Sequence, residues 1–257
     1  MNSNEQILSL VIKYKGNWDK VFSAIKSQET CEDNESVIEQ YKGKYITILD
    51  KQYPECLKQG CYKPPFVLFY EGNIGILNDK NYDIKLAISD SRSLTETEKG
   101  IVNDMLTNVP DNTAFVLGGE GNMTDDIVKT HTNPVIMVLA YSPEQYGYVG
   151  LKRHIIANGG VIISEYPDNA FNDLKNENFV NRYRIMTALG TDVLITKAKQ
   201  HSGSTTMVMS ALQQGKDVMV IPTSPAEKEL VNNKLIAEGA IPVYDNDSLT
   251  FNLQASY

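Results

Sequence analysis

From residue 45 to residue 221 the chain repeats one hydrophobic theme. Short apolar runs, many of them β-branched, alternate with longer stretches of helical spacing. The runs are YITIL (45–49), FVLFY (66–70), KLAIS (85–89), AFVL (114–117), VIMVL (135–139), GVIIS (160–164), DVLIT (192–196) and DVMVI (217–221). Helical character falls at 95–107, 150–158, 204–214 and 226–238. Strands that are apolar on both faces and alternate with amphipathic helices predict an α/β fold. The sheet is expected to be doubly wound and mostly parallel, with helices on each side and right-handed crossovers.

The first forty residues follow a different period. Ile7, Leu8, Val11 and Ile12 make a helical stripe behind Ser3-x-x-Gln6, which has the spacing of a capping box. Gly16-Asn17 breaks that pattern, and Asn17 is placed to cap a second helix carrying Trp18, Val21, Phe22 and Ile25. An acidic stretch, CEDNES (31–36), precedes a third short helix. The expected division is a small helical N-terminal domain, 1–43, and one large α/β domain, 44–257.

Composition narrows the class. With 42% hydrophobic and 22% charged residues in 257, the chain is an ordinary globular one. No apolar run approaches the roughly 18–20 residues that span a bilayer, and the N-terminus lacks the pattern of a signal peptide. Cys31, Cys56 and Cys61 are too few and too odd in number for a disulfide framework, and no second Cys or His pair beside them suggests zinc. A reduced, cytoplasmic setting is expected, with no membrane partner. The net charge of −8 argues against nonspecific coating of nucleic acid. Locally the balance reverses: between 182 and 216 the charges are Arg182, Arg184, Lys197, Lys199 and Lys216 against Asp192 alone.

In a doubly wound sheet, ligands bind outside the carboxyl ends of the strands, where loops lead into helix N-termini. Four loops qualify. Asp90-Ser91-Arg92 follows run 85–89, where an arginine fork can reach a phosphate, a carboxylate or Asp90 itself. Gly118-Gly119-Glu120-Gly121-Asn122 lacks the G-x-G-x-x-G spacing of a dinucleotide site. Ser164-Glu165-Tyr166-Pro167 precedes Phe179-Val-Asn-Arg-Tyr-Arg184. On a helix Arg182 and Arg184 point about 200° apart, and Tyr166 or Tyr183 is either a stacking surface for a base or core filler. His201-Ser202-Gly203-Ser204-Thr205-Thr206 opens a helix as a plain N-cap or an anion site, and it is no Walker A loop.

Taken in order, these segments resemble the DNA-processing protein A family (DprA/Smf) over nearly the whole chain. YITILDKQYPECLKQGCYKPPFVLFYEGN (45–73) is similar to its tyrosine-proline and double-proline opening, and Ala87-Ile-Ser-Asp-Ser-Arg92 to its glycine-serine-arginine loop. Ser164-Glu-Tyr-Pro167 matches directly. Phe179–Ile185, Ser202-Gly-Ser204 with Ala211, Gly215–Val218 with Pro222, and Asn233-Lys-Leu-Ile236 with Gly239-Ala240 follow in register. The resemblance implies a Rossmann-like fold behind a helical N-terminal domain, often dimeric. It also implies a non-catalytic accessory protein that holds single-stranded DNA and loads a RecA-type recombinase in recombination and natural transformation. By position, Arg92 matches the family's phosphate-contacting arginine. Ser91, Arg182, Arg184, Ser202, Gly203, Ser204 and Thr205 would line the same pocket, and Lys152 would stand in for a missing basic residue.

The departures cluster in the loops. Asp90 replaces a glycine, Glu120 is added, Tyr183 replaces an asparagine, and Lys197 replaces an acid. No segment is expected to form the family's common C-terminal winged-helix domain. Two alternatives therefore stay open: a nucleotide-binding sensor or nucleotide-hydrolysing relative, and a fold-retaining interaction protein whose pocket is lost. His131, His154 and His201 are scattered, so neither catalysis nor a metal or other cofactor is expected.

Overall fold

In the computed structural model, the described residues are 2–30, 41–89, 94–119, 121–168 and 176–255. Among these residues nine strands form one sheet: β1 (Lys44–Thr47), β2 (Val67–Gly72), β3 (Ile84–Ser89), β4 (Thr113–Gly118), β5 (Val135–Val138), β6 (Val161–Ser164), β7 (Asp192–Ile195), β8 (Val218–Val220) and β9 (Ile241–Pro242). Their order is β1-β2-β6-β5-β4-β3-β7-β8-β9. From β6 to β9 every pairing is parallel. β2 joins β6 antiparallel, and β1 pairs antiparallel with β2. The mostly parallel α/β sheet expected from the sequence is the observed one.

The helices are α1 (Ser3–Lys13), α2 (Trp18–Lys26), α3 (Glu55–Gly60), α4 (Glu96–Leu106), α5 (Asn122–Thr130), α6 (Val149–Ala157), α7 (Asn176–Leu189), α8 (Gly203–Gln213), α9 (Asn232–Ala237) and α10 (Asn246–Ala255). Alternate strand residues feed two cores. Ala87, Val116, Ile136 and Val193 face Ile185, Met186 and Leu189 of α7 and Met207, Val208 and Ala211 of α8. Leu86, Ile88, Phe115 and Met137 face Val102 and Leu106 of α4, Met123 and Ile127 of α5, Ile155 of α6, and Leu249 and Leu253 of α10. Both strand faces are thus apolar because both are covered.

A third core holds α1 and α2 against β2 through Leu8, Leu10, Val11, Val21, Val67 and Phe69. Helices this short are marginal in isolation, and each fully buried side chain here contributes about 1.5–3 kcal/mol. Tertiary packing therefore decides their stability. The cap of α1 lies one residue before the expected one. Asn2 accepts from the Glu5 amide at 2.9 Å and Glu5 accepts from the Asn2 amide at 2.8 Å, displacing Ser3 and Gln6 from that role. Asn17 caps α2 and Thr95 with Glu98 boxes α4, both as read from the sequence. The third N-terminal helix falls outside the described residues. No helix among those described is long and apolar enough to cross a membrane.

The chain runs from β3 outward through β4, β5 and β6, then returns to β7 on the opposite flank of β3. This reversal places a crevice at the carboxyl ends of β3, β4 and β7.

Candidate nucleic-acid interface

Polar side chains tie the rim of that crevice together. The hydroxyl of Ser89, the last residue of β3, donates to Ser204 Oγ at 2.7 Å, and Ser204 donates on to the Lys197 carbonyl at 3.0 Å. Thr196 Oγ1 donates to the Ser89 carbonyl at 2.8 Å. The start of α8 is thereby fixed to the ends of both central strands. Asn232 closes the back: its Oδ1 accepts from the Ala198 amide at 2.8 Å, and its Nδ2 donates to the Thr196 and Ile221 carbonyls at 3.1 and 2.8 Å.

α8 begins with an incomplete cap. Ser202 sits at the N-cap position in extended conformation, yet its side chain makes no capping hydrogen bond. Its buried Oγ has no hydrogen-bond partner. Thr205 Oγ1 donates to the Ser202 carbonyl at 2.7 Å. His201, just before, holds a left-handed φ of 58°. The first turn of α8 thus directs backbone N–H groups and its dipole toward the crevice without a side-chain oxygen of its own.

Arg182 of α7 stands beside this turn. Its guanidinium lies against Gly118 at the end of β4, 3.0 Å from where a β-carbon would be, and over the rings of Phe179 (5.6 Å) and Tyr183 (5.5 Å). The Tyr183 hydroxyl in turn packs on Gly203, where an added β-carbon would require the Tyr183 ring to move. Gly118, Arg182, Tyr183 and Gly203 form one continuous contact across the crevice floor.

Arg184 goes elsewhere. Its Nη1 and Nη2 pair with Glu165 Oε1 and Oε2 at 2.7 and 2.5 Å, and its Nε donates to the Lys63 carbonyl at 3.0 Å. This arginine holds the β6 exit and the 62–65 segment onto α7, so the expectation that it lines the DNA pocket is corrected. Lys152 is corrected likewise. On α6 its ammonium bonds Glu71 of β2 and the Pro143 carbonyl, toward the β2 edge and away from β3 and β7. Tyr166 is buried, accepting from Asn181 Nδ2 at 3.3 Å, and offers no stacking face. Asp90, Ser91 and Arg92, and with them Glu120, lie outside the described residues.

Lys197 is a centre the sequence marked only as a basic residue and a departure from the family pattern. It is 7% exposed and bonds Glu98 Oε1 at 2.7 Å and Glu227 Oε1 at 3.2 Å. Burial works against its charge, but the two carboxylates outweigh burial and hold the ammonium above its ordinary value. For Glu98, burial is likewise overcome, by Lys197 and Thr95, and its carboxyl sits below the usual range. Ser89, Thr196 and Asn232 were also missed, because hydroxyls and amides at strand ends carry no periodicity. Among the described residues no cluster of three His, Cys, Asp or Glu side chains is placed to hold a metal ion.

Comparison with known proteins places this architecture. The model of the family "DNA recombination-mediator protein A" matches residues 44–254. The DNA processing protein DprA of Bacillus subtilis is 26% identical over 211 residues, covering 79% of this chain and 69% of its own. The structure of DNA processing protein A from Streptococcus pneumoniae superposes with a TM-score of 0.73 at 24% identity, covering 96% of this chain and 92% of the other. That of DNA processing protein A from Helicobacter pylori, solved for its single-stranded DNA binding mode, gives 0.67 at 22% identity, covering 84% and 98%.

Proposed function

The chain belongs to the DNA recombination-mediator protein A family, and from that premise we propose that its β3–β4–β7 crevice holds the sugar-phosphate backbone of single-stranded DNA. The observation that carries this reading is the start of α8, where an N-cap serine caps nothing and Arg182 lies across the floor. Phosphate oxygens are the acceptors such a turn lacks. The contacts are Arg182, Ser202, Gly203, Ser204 and Thr205, joined by Ser91 and Arg92, which follow β3 in the sequence. Tyr183 is kept to the floor by Gly203.

The protein acts without chemistry of its own, in the cytoplasm, as a homodimer that delivers the strand to a RecA-type recombinase. An exposed apolar pair three residues apart on α8, Met209 and Leu212, supports a protein-facing surface. The small N-terminal domain is 1–43 and the extended Rossmann-like domain 44–257.

Fluorescence anisotropy of a labelled single strand, compared with a duplex across a salt series, tests the central claim. Affinity is expected to fall with salt, and Arg182→Ala to reduce the slope by about 0.7, the share of one phosphate contact. No binding to the single strand at low salt would remove the reading.

A further inference from the structure

Beside α7, where Asn181 and Arg184 emerge, lies a recess of about 490 Å³, opening where the α1–α2 turn meets the exit of β6. That volume falls within the range of small-molecule sites. Gly16 makes the seam. Its φ is 73°, and a β-carbon there would stand 2.8 Å from Tyr166 Cδ1 and 3.1 Å from the Glu165 carbonyl. The turn rests directly on the loop, and this close approach creates the recess.

The lining has the chemistry of a nucleotide site. Four cations, Lys15, Lys20, Lys63 and Arg184, face three acids, although the whole chain carries −8. Two of those acids are already answered: Arg184 holds Glu165, and Lys63 bonds Asp19 at 2.7 Å. Glu177 is the third. Lys20 is exposed and has no carboxylate partner among the described residues. The Lys63 ammonium lies 5.2 Å from the centre of the Trp18 ring and 5.8 Å from that of Tyr62. Tyr62 is 65% exposed, which leaves its ring open to stacking. Cations beside an open aromatic ring are what a phosphate and its base require.

Backbone strain marks the same place. Four non-glycine residues among those described have left-handed φ, and two of them, Lys15 (52°) and Lys63 (54°), line this recess. A third is His201, beside the start of α8. Such conformations are sparsely populated and gather where a site is held in shape.

We propose that this recess is a second binding site, taking one nucleotide with its base on Tyr62 and its phosphate between Lys20 and Lys63. The inference rests on the crevice reading above, because the nucleotide belongs to the same strand. Asn178, Asn181 and Arg184 line the recess while Arg182 lies against Gly118, so the two sites flank the same helix, which is about 10–12 Å across. A strand long enough to cross α7 fills both.

The test compares oligothymidylates of about 4 and about 16 nucleotides, together with thymidine monophosphate. The proteins are the full chain, its Tyr62→Ala/Lys20→Glu variant, and Arg182→Ala. Both substituted positions in the double variant are exposed, so folding is kept, and a melting curve checks it. The double variant is expected to bind the longer oligonucleotide about tenfold more weakly and the shorter one unchanged. Undiminished affinity for the longer strand, while Arg182→Ala weakens both lengths, overturns the inference and leaves the crevice reading intact. If neither length binds the wild type, the crevice reading fails on its own. Thymidine monophosphate then decides: binding lost in the double variant keeps the recess as a site for a free nucleotide, and no binding overturns it.

Discussion

Arg184 and Glu165 meet through both arms of each group, at 2.7 and 2.5 Å, with the arginine nine per cent exposed and the glutamate five. Two residues away on the same helix, Arg182 turns its guanidinium to Gly118 on the other side. A pair of arginines that reads as one basic feature in the sequence is therefore divided. One holds the β6 exit to α7, and the other lies against the end of β4.

Removing one member of the buried pair leaves the other charge without its counterion. Arg184→Ala and Glu165→Gln are each expected to lower stability by about 3–5 kcal/mol. Replacing both with apolar residues of similar volume is expected to cost much less. Urea denaturation of the three variants measures this, and a double-variant loss equal to the sum of the two single losses would show that the pair is not coupled.

Ser202→Asp separates fold from function at α8. The position is extended, with φ of −94°, and aspartate is a strong N-cap, so the variant is expected to melt at the wild-type temperature or above it. The same carboxylate would occupy the place proposed for the phosphate and repel it. Single-strand affinity is expected to drop at least tenfold in the anisotropy assay. A variant that is both stable and fully binding would move the phosphate site away from this turn.

Gly203→Ala is expected to destabilise the protein and weaken DNA binding together, because the new methyl group meets the Tyr183 hydroxyl. Tyr183→Asn in the same chain removes the obstacle and is expected to restore much of the loss. A double-mutant cycle on melting and affinity reads the coupling. Simple additivity would mean that Tyr183 does not set the height of the crevice floor.

Much of this arrangement is legible in the sequence, for reasons the structure makes plain. The six runs between 85 and 221 became strands covered on both faces, so their hydrophobicity is nearly unbroken, and the runs at 45–49 and 66–70 became the antiparallel edge pair. β9 is two residues long and ends in Pro242, too short to register. α10 rests on Leu249 and Leu253 within a polar stretch, and its single apolar stripe is faint. Within the site, the split of Arg182 from Arg184 follows from 100° per residue. The partner each one takes does not, since Glu165 lies 19 residues from Arg184 and Glu71 lies 81 from Lys152. Family resemblance pointed to Asn233, which bonds Thr223, whereas its neighbour Asn232 is the one buried among three carbonyl and amide partners.

Glu144 gives the fold a pH dependence whose sign can be worked out. It lies in the 3₁₀ turn Pro143–Gln145 after β5, facing Asp168 in the loop after β6, whose carboxylate also accepts from Ser142. The hydrogen bond to Asp168, burial, and the negative charges of Asp168 and Glu71 push its pKa up to about 7, against the pull of Lys152. The folded protein thus keeps a proton that the unfolded chain releases near 4.5. A raised carboxyl favours the folded state below the unfolded value, and that advantage is lost as pH rises from about 4.5 to about 7. Glu144→Gln supplies an amide N–H in place of the protonated carboxyl and cannot ionise, so it removes this slope. It is expected to match the wild type near pH 5 and to melt higher near pH 8. His131, held below its ordinary value by burial, acts in the opposite direction in both proteins and cancels from the comparison. Melting temperatures of the two proteins at pH 5 and pH 8 check the claim. A difference that does not change with pH would show that Glu144 and Asp168 share no proton.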